Sequence, residues 1–334
     1  MSQRQTNPML AALATLLLPA AASAHHSFAA HFLMDRFAEV EGRVTRVEWV
    51  NPHVKIYVED ADGATWEVEA GPVNLLSRMG LERDMLEIGE TIRARGNPGR
   101  RDEHMLWVAN VLLADNTELL VGPGAEPYYT AEGVGDSSAF FEAGTLGTVR
   151  QRSFFRIWTP LVSSMPRPLE DPALSETGTA AQARYGIDKQ VVSDCEVPGM
   201  PFAMMSPYPI ELVERGDDIL LRGEAYDLER VLHTQPPANE PEPSPLGYSL
   251  ARMEGDDLIV ETTGIDYHSY GDLGPAQSNE SRVTERFSLS EDGQQLDYAI
   301  TVEDPVMLTG AWRWGGRFIY RDGAEIKPWN CGLE

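Results

Sequence analysis

From residue 37 to about 121, apolar and polar positions alternate in short runs, the period-two pattern of strands with one face in a core. Val40, Gly42 and Val44 keep one phase, and Val47 and Trp49 resume one step out of it, which predicts a bulge in a long, curved first strand. Val54, Ile56 and Val58 mark a second strand, Asp62-Gly63 a hairpin turn, and Trp66, Val68 and Ala70 a third strand. Pro72 then opens a short helix with Val73, Leu75, Leu76 and Met79 on one side, and Gly80 is placed to stop it. Strands follow over 91–95 and 105–113, and Asp115-Asn116 turns toward a sixth. Three strands, a helix and two more strands in so short a stretch predict a small closed barrel of OB type.

The chain then changes character. Residues 122–194 hold Gly, Pro, Ser and Ala around apolar islands such as 154–158, the composition of an extended linker that docks at those islands, with a short helix expected near 179–185. From 195 the strand pattern returns, over 208–215, 219–233, 248–253, 258–265, 282–289, 295–303, 308–314 and 317–321, with polar turns at 215–218, 254–257, 291–293 and 322–323. Sequential antiparallel strands of this kind predict a meander that curls into a lipocalin-like barrel. The expected whole is mainly β: an OB-like barrel over 25–121, a linker over 122–194 and a second antiparallel β-meander barrel over 195–334.

The first 24 residues change the picture by giving an address. Arg4, the apolar run from Met9 to Ala22 and the small residues of Ala22-Ser23-Ala24 have the form of a signal peptide cut after Ala24. That apolar run is shorter than the roughly 20 residues a membrane span needs. A periplasmic or secreted chain beginning at His25, not inserted in the membrane, is expected. Charge narrows the partners: 52 acidic residues stand against 27 basic ones, a net charge of −25. Such a field repels nucleic acid and favours solubility, so a small-molecule ligand is the expected partner, and no protein partner is legible. In an oxidising compartment the two cysteines, Cys195 and Cys331, are expected to form a disulfide clipping the start of the second domain to its last residues.

Two sets of residues resemble known families. His25-His26-Ser27-Phe28 and the strand-turn Val47-Glu48-Trp49-Val50-Asn51-Pro52-His53-Val54 resemble an uncharacterised family of secreted bacterial proteins with a small β-domain. Cys195-Glu196-Val197-Pro198-Gly199-Met200-Pro201, Pro207-Tyr208-Pro209, Glu261-Thr262-Thr263-Gly264 and Thr284-Glu285-Arg286-Phe287 resemble a second family of exported proteins. The resemblance implies export and β-structure, and carries no activity with it.

Three of the seven histidines, His25, His26 and His31, fall at the start of the mature chain. A free α-amine beside the His25 imidazole is a chelating pair, and a further imidazole such as His53 completes a nitrogen set that suits copper, first among divalent ions in affinity. A polar tail and a turn histidine are the competing reading of His25, His26 and His53. In the second domain Glu285 lies on the apolar face of its strand with Val283, Phe287 and Leu289, so the carboxylate must be paired or neutral. Read as one strand, 219–233 puts Glu224, Tyr226, Leu228, Arg230 and Leu232 on one face. Glu285 with Arg230 is then an internal ion pair, whereas Glu285 beside Glu224 is a pair suited to acid–base work. His268, in the loop after a strand, offers a further base or an ordinary surface group. Trp312 and Trp314 share a strand face and, with Tyr226, suit an apolar ligand or a core. P-loops, dinucleotide turns, Gly-x-Ser-x-Gly elbows and His-Glu-x-x-His are absent from the sequence. The preferred expectation is an exported binding or accessory protein for a small, fairly apolar ligand. A cofactor-independent enzyme using Glu285, Glu224, Arg230 or His268, and a copper protein using His25, are the alternatives.

Overall fold

The computed structural model describes residues 31–136, 146–160, 164–184, 196–271 and 275–332. The chain folds into two closed β-barrels in sequence order. In the first, β1 (Ala38–Glu48), β2 (Lys55–Asp60), β3 (Thr65–Glu69), β4 (Thr91–Pro98) and β5 (Met105–Leu112) run in the order β3-β2-β1-β4-β5. A parallel pairing of β3 with β5 closes the ring, and β6 (Glu118–Leu120) flanks β5. The phase slip along the first strand is a register shift between Val44 and Arg46, which lets one long strand pair with β2 at one end and β4 at the other. A second shift falls at Gly96, where a Cβ would collide with the Trp107 carbonyl, so only glycine fits.

The helix α1 (Val73–Arg78) lies between β3 and β4 and buries Leu75 and Leu76 against the barrel core of Val44, Ile56, Val68 and Val108. Pro72 at its start offers no capping side chain; instead Asn51 Oδ1, from the turn before β2, accepts from Val73 N at 2.8 Å. Gly80, at φ 80°, ends it.

The second barrel contains β7 (Ile157–Pro160), β9 (Ile210–Arg215), β10 (Asp218–Gly223), β11 (Leu228–His233), β12 (Tyr248–Glu254), β13 (Asp257–Thr263), β14 (Arg282–Leu289), β15 (Gln295–Glu303) and β16 (Trp312–Ile319). They run β15-β14-β13-β12-β11-β10-β9-β7-β16, with β15 pairing β16 to close the ring; a two-residue β8 (Arg167–Pro168) lies on β16. A short helix α2 (Glu176–Gln182) is capped by Ser175, whose Oγ accepts from Gly178 N.

Four details differ from the sequence expectation. The segment 219–233 is not one strand but the hairpin β10–β11, with Ile219 opposite Leu232 and Gly223 opposite Leu228. Its turn is made by Tyr226 and Asp227 at φ 59° and 49°, left-handed positions that glycine usually fills, so no glycine marked the turn. Residues 308–314 and 317–321 are not two strands either, since β16 runs straight through Gly315-Gly316. Those glycines leave room for Pro166 and Leu169 to lie over the strand. The island 154–158, expected within the linker, contributes β7, which fills the gap between β9 and β16. Finally, β11 and β12 pair in parallel through only Leu232–Ser249 and His233–Leu250, because the Pro-rich segment 234–247 carries the chain across rather than back.

Candidate functional site

Inside the second barrel, Arg230 on β11 reaches side chains on the next three strands, β12, β13 and β14. Its Nε donates to Ser249 Oγ (2.9 Å), Nη2 to Thr262 Oγ1 (2.7 Å), Nη1 to Glu285 Oε1 (3.0 Å), and Nη2 also to Glu285 Oε2. Tyr298 OH donates to Glu285 Oε1 at 2.5 Å. All five residues are buried. Burial presses the Arg230 guanidinium down, but the Glu285 charge and its hydrogen bonds more than offset this and hold it above the ordinary arginine value. Burial, then the Glu285 charge, pushes the Tyr298 phenol well up, so it stays a donor. This cluster crosses the weak parallel seam between β11 and β12. A carboxylate satisfied on both oxygens and sealed from water braces a barrel better than it exchanges protons with a substrate.

Glu224 does not join it. The hairpin turn takes Glu224 and Tyr226 off the Arg230 face, and Glu224 turns instead toward the first barrel. There it is 0% exposed and accepts from Arg78 Nη1 and Nη2 (both 2.6 Å) and from Asn74 Nδ2 (3.0 Å), all on α1. Lys327 N, from the C-terminal segment, completes the set at 2.9 Å. The same segment is tied further to both barrels. Trp329 N donates to Asp227 Oδ1 (3.0 Å), and Asn51 Nδ2 donates both to Trp329 O and to Asn74 Oδ1 (2.9 Å). The buried Trp329 ring packs on Tyr208 (5.0 Å) and Tyr226 (5.3 Å). Asn51 of the Asn-Pro-His turn therefore serves two purposes: it caps α1 and it holds the C-terminal segment.

Beside this junction lies a cleft of about 440 Å³ whose walls come from both barrels. Leu75 and Arg78 of α1 form one side; Pro160, Pro207, Tyr208, Arg321 and Lys327 are on the other. The volume is within the range of about 300–1,000 Å³ typical of small-molecule sites. The first barrel's interior, by contrast, leaves about 10 Å³ between Val54, Ile56, Leu76 and Val111, room for one water at most. The second barrel is filled by Trp158, Phe287, Tyr298, Trp314 and Phe318.

The remaining sequence candidates are scattered. Trp312 and Trp314 meet edge to face at 5.0 Å, both buried, with Trp312 Nε1 donating to Glu170 O (2.6 Å). Tyr226 faces Trp329 rather than either of them. His268 is exposed in the loop after β13, beside Tyr267, away from the sealed Glu285. His53 Nδ1 pairs with Glu69 Oε1, its ring 5.4 Å from Trp107. His25, His26 and Cys195 lie outside the described residues, and Cys331 Sγ is 3.5 Å from Asn51 O. Among the described residues, no three His, Cys, Asp or Glu side chains converge as metal ligands, and no helix is long and apolar enough to cross a membrane. Asn51, Asn74, Arg78 and Arg321 are the residues sequence reasoning missed. Only the Asn-Pro-His turn carried a signal, and it gave no role.

Residues 13–106 match the model of a family of unknown function, DUF6152. The match covers less than half of the chain, spanning the first barrel as far as β5 and including Asn51, Asn74 and Arg78. No curated protein matches the chain.

Proposed function

We propose that this is an exported binding protein whose small ligand sits in the cleft between the two barrels. The observation that carries this reading is the cleft itself, formed at a junction that Glu224 and the C-terminal segment hold in place. A site whose walls are already fixed spends little binding energy on ordering them. Leu75, Pro160, Pro207, Tyr208 and Pro209 offer a stiff apolar surface for the body of the ligand. Export rests on the leader-like first 24 residues and on the second-half resemblance to exported proteins, and the acidic charge suits a soluble envelope protein. A thermal-shift screen of small organic compounds tests the reading, with Ala324→Trp, a substitution in the cleft wall, as the blocked control. A compound that raises the melting temperature of the native chain and not of Ala324→Trp is expected. Equal shifts in both would move the site elsewhere.

A copper site is a second reading with its own support. Phe32, near the first described residue, packs 5.7 Å from Trp107, whose ring also lies 5.4 Å from His53. Phe32 thus shares the Trp107 ring with His53 of the His53–Glu69 pair, and the six residues from His25 to Ala30 are long enough, at roughly 20 Å when extended, for a terminal His25 to reach that pair. One-to-one copper binding by a chain beginning at His25, lost in His53→Ala and in a chain with a retained Met, is expected. Unchanged binding in both would end that reading.

A further inference from the structure

With Arg78 closed off by Glu224, the charges on the cleft lining balance: Arg321 and Lys327 stand against Asp322 and Glu325, and Arg321 is already engaged. That set selects no sign of charge, and a charged ligand would give up its hydration on entering. The apolar part of the lining is Leu75 with Pro160, Pro207 and Pro209, and its uncharged polar side chains are Thr159 and Tyr208. Tyr208 is only 6% exposed, yet among the described residues its hydroxyl makes no hydrogen bond. Nor is that oxygen one of the buried atoms sealed in without a partner, so its small opening is onto the cleft that the residue lines. The direction of the phenol is fixed twice. Prolines on both sides confine Pro207-Tyr208-Pro209 to extended backbone, and the Trp329 ring packs edge to face against it at 5.0 Å. Burial holds the phenol well above the usual tyrosine value, so it keeps its proton.

We infer that the ligand of this cleft is an uncharged compound with a carbonyl oxygen, which accepts from the Tyr208 hydroxyl while its apolar body lies against Leu75 and the prolines. The inference rests on the cleft being the ligand site, as proposed above. A phenol donates more readily than it accepts, because the ring draws on the oxygen lone pair, so the ligand supplies the acceptor. A carbonyl is the uncharged group that accepts strongly and brings no donor needing a partner of its own against an apolar wall. A donor already aimed costs little to engage, and a ligand lacking the acceptor would cover the hydroxyl and leave it unpaired. Ketones, esters, lactones and tertiary amides on a compact apolar frame are the class that fits.

Three probes of one shape test this. 2-Acetylnaphthalene carries the carbonyl, 2-isopropenylnaphthalene has a methylene in place of its oxygen, and 2-naphthoate adds a charge. Each is titrated by calorimetry into the full mature chain, Tyr208→Phe and Ala324→Trp. Because the hydroxyl holds no other part of the protein, Tyr208→Phe should melt as the native chain does; a lowered melt would show a structural partner and overturn the inference. The ketone should bind the native chain about five-fold more tightly than the alkene, the usual worth of one neutral hydrogen bond, and more tightly than the naphthoate. Tyr208→Phe should bring the ketone down to the alkene and leave the alkene unchanged. Equal affinity for ketone and alkene, or tighter binding of the naphthoate, with all binding lost in Ala324→Trp, would overturn the carbonyl inference and leave the cleft as the ligand site. Binding unaffected by Ala324→Trp would overturn the cleft itself. No binding of any probe would overturn the class, with the thermal-shift screen then deciding the cleft.

Discussion

Removing either partner of the Glu224–Arg78 pair should be costly, and the two removals should not cost the same. Breaking a buried ion pair from one side typically costs about 3–5 kcal/mol, because the surviving charge is left in a medium that cannot solvate it. In Glu224→Ala the survivor is Arg78, whose side chain is 29% exposed, so water can take over part of the lost bonding. The expected loss is near the lower end, about 3 kcal/mol. In Arg78→Ala the survivor is a carboxylate at 0% exposure with only Asn74 Nδ2 and Lys327 N left to hold it, and the loss is expected near about 5 kcal/mol. The double variant Glu224→Ala/Arg78→Ala strands no charge and should lose less than the two single losses added, a coupling of about 2 kcal/mol or more. Urea unfolding monitored by tryptophan emission measures all four chains, and Trp329, packed at the junction, makes the signal sensitive to its opening. Two single variants within about 0.5 kcal/mol of the native chain, or losses that simply add, would refute the reasoning.

Other outcomes follow from the same geometry. Glu285→Gln leaves Arg230 buried with its charge unmatched and should cost about 3–5 kcal/mol, whereas Tyr298→Phe, which removes one hydrogen bond to that carboxylate, should cost about 1.5–3 kcal/mol; thermal melts that leave Glu285→Gln at native stability would contradict this. Asp304 is pushed up by burial but held below the ordinary carboxylate value by hydrogen bonds from Ser278 N, Tyr270 OH, Ser278 Oγ and Met307 N. With its folded pKa depressed, its contribution is full above the unfolded value of about 3.9 and is lost as pH falls through the folded one. Melting temperature should therefore drop steeply on acidification below about pH 4, and Asp304→Asn should flatten that limb. Intact mass of the protein recovered from the periplasm of an expressing host should match a chain beginning at His25 and lacking two hydrogens for a Cys195–Cys331 disulfide; a free-thiol mass would remove the disulfide.

The first barrel was legible because its strands carry their own punctuation: the phase slip after Val44, the Asp62-Gly63 turn and the Pro72 and Gly80 helix limits are all local signals. Mainly β structure in two barrels was legible for the same reason. The β10–β11 turn was not, because Tyr226 and Asp227 adopt a backbone conformation that their residue types do not announce. Nor was the β7 position, since β7 joins β9 and β16 by long-range pairing that no local pattern encodes. Glu285 on an apolar face did point to a charged partner, and of the two partners weighed, Arg230 is the one beside it. The cleft was invisible in the sequence because its walls come from segments far apart in the chain: α1, the 207–209 turn and the C-terminal segment. Arg78 and Glu224 each look like ordinary surface charges until the barrels meet.

The most direct measurement is native mass spectrometry of the protein isolated from the periplasm without refolding, alongside Ala324→Trp prepared identically. The account predicts a small, one-to-one adduct on the native chain, released on denaturation as a small organic compound, and absent from Ala324→Trp. The same adduct on both chains, or none on either, would contradict a ligand site between the barrels.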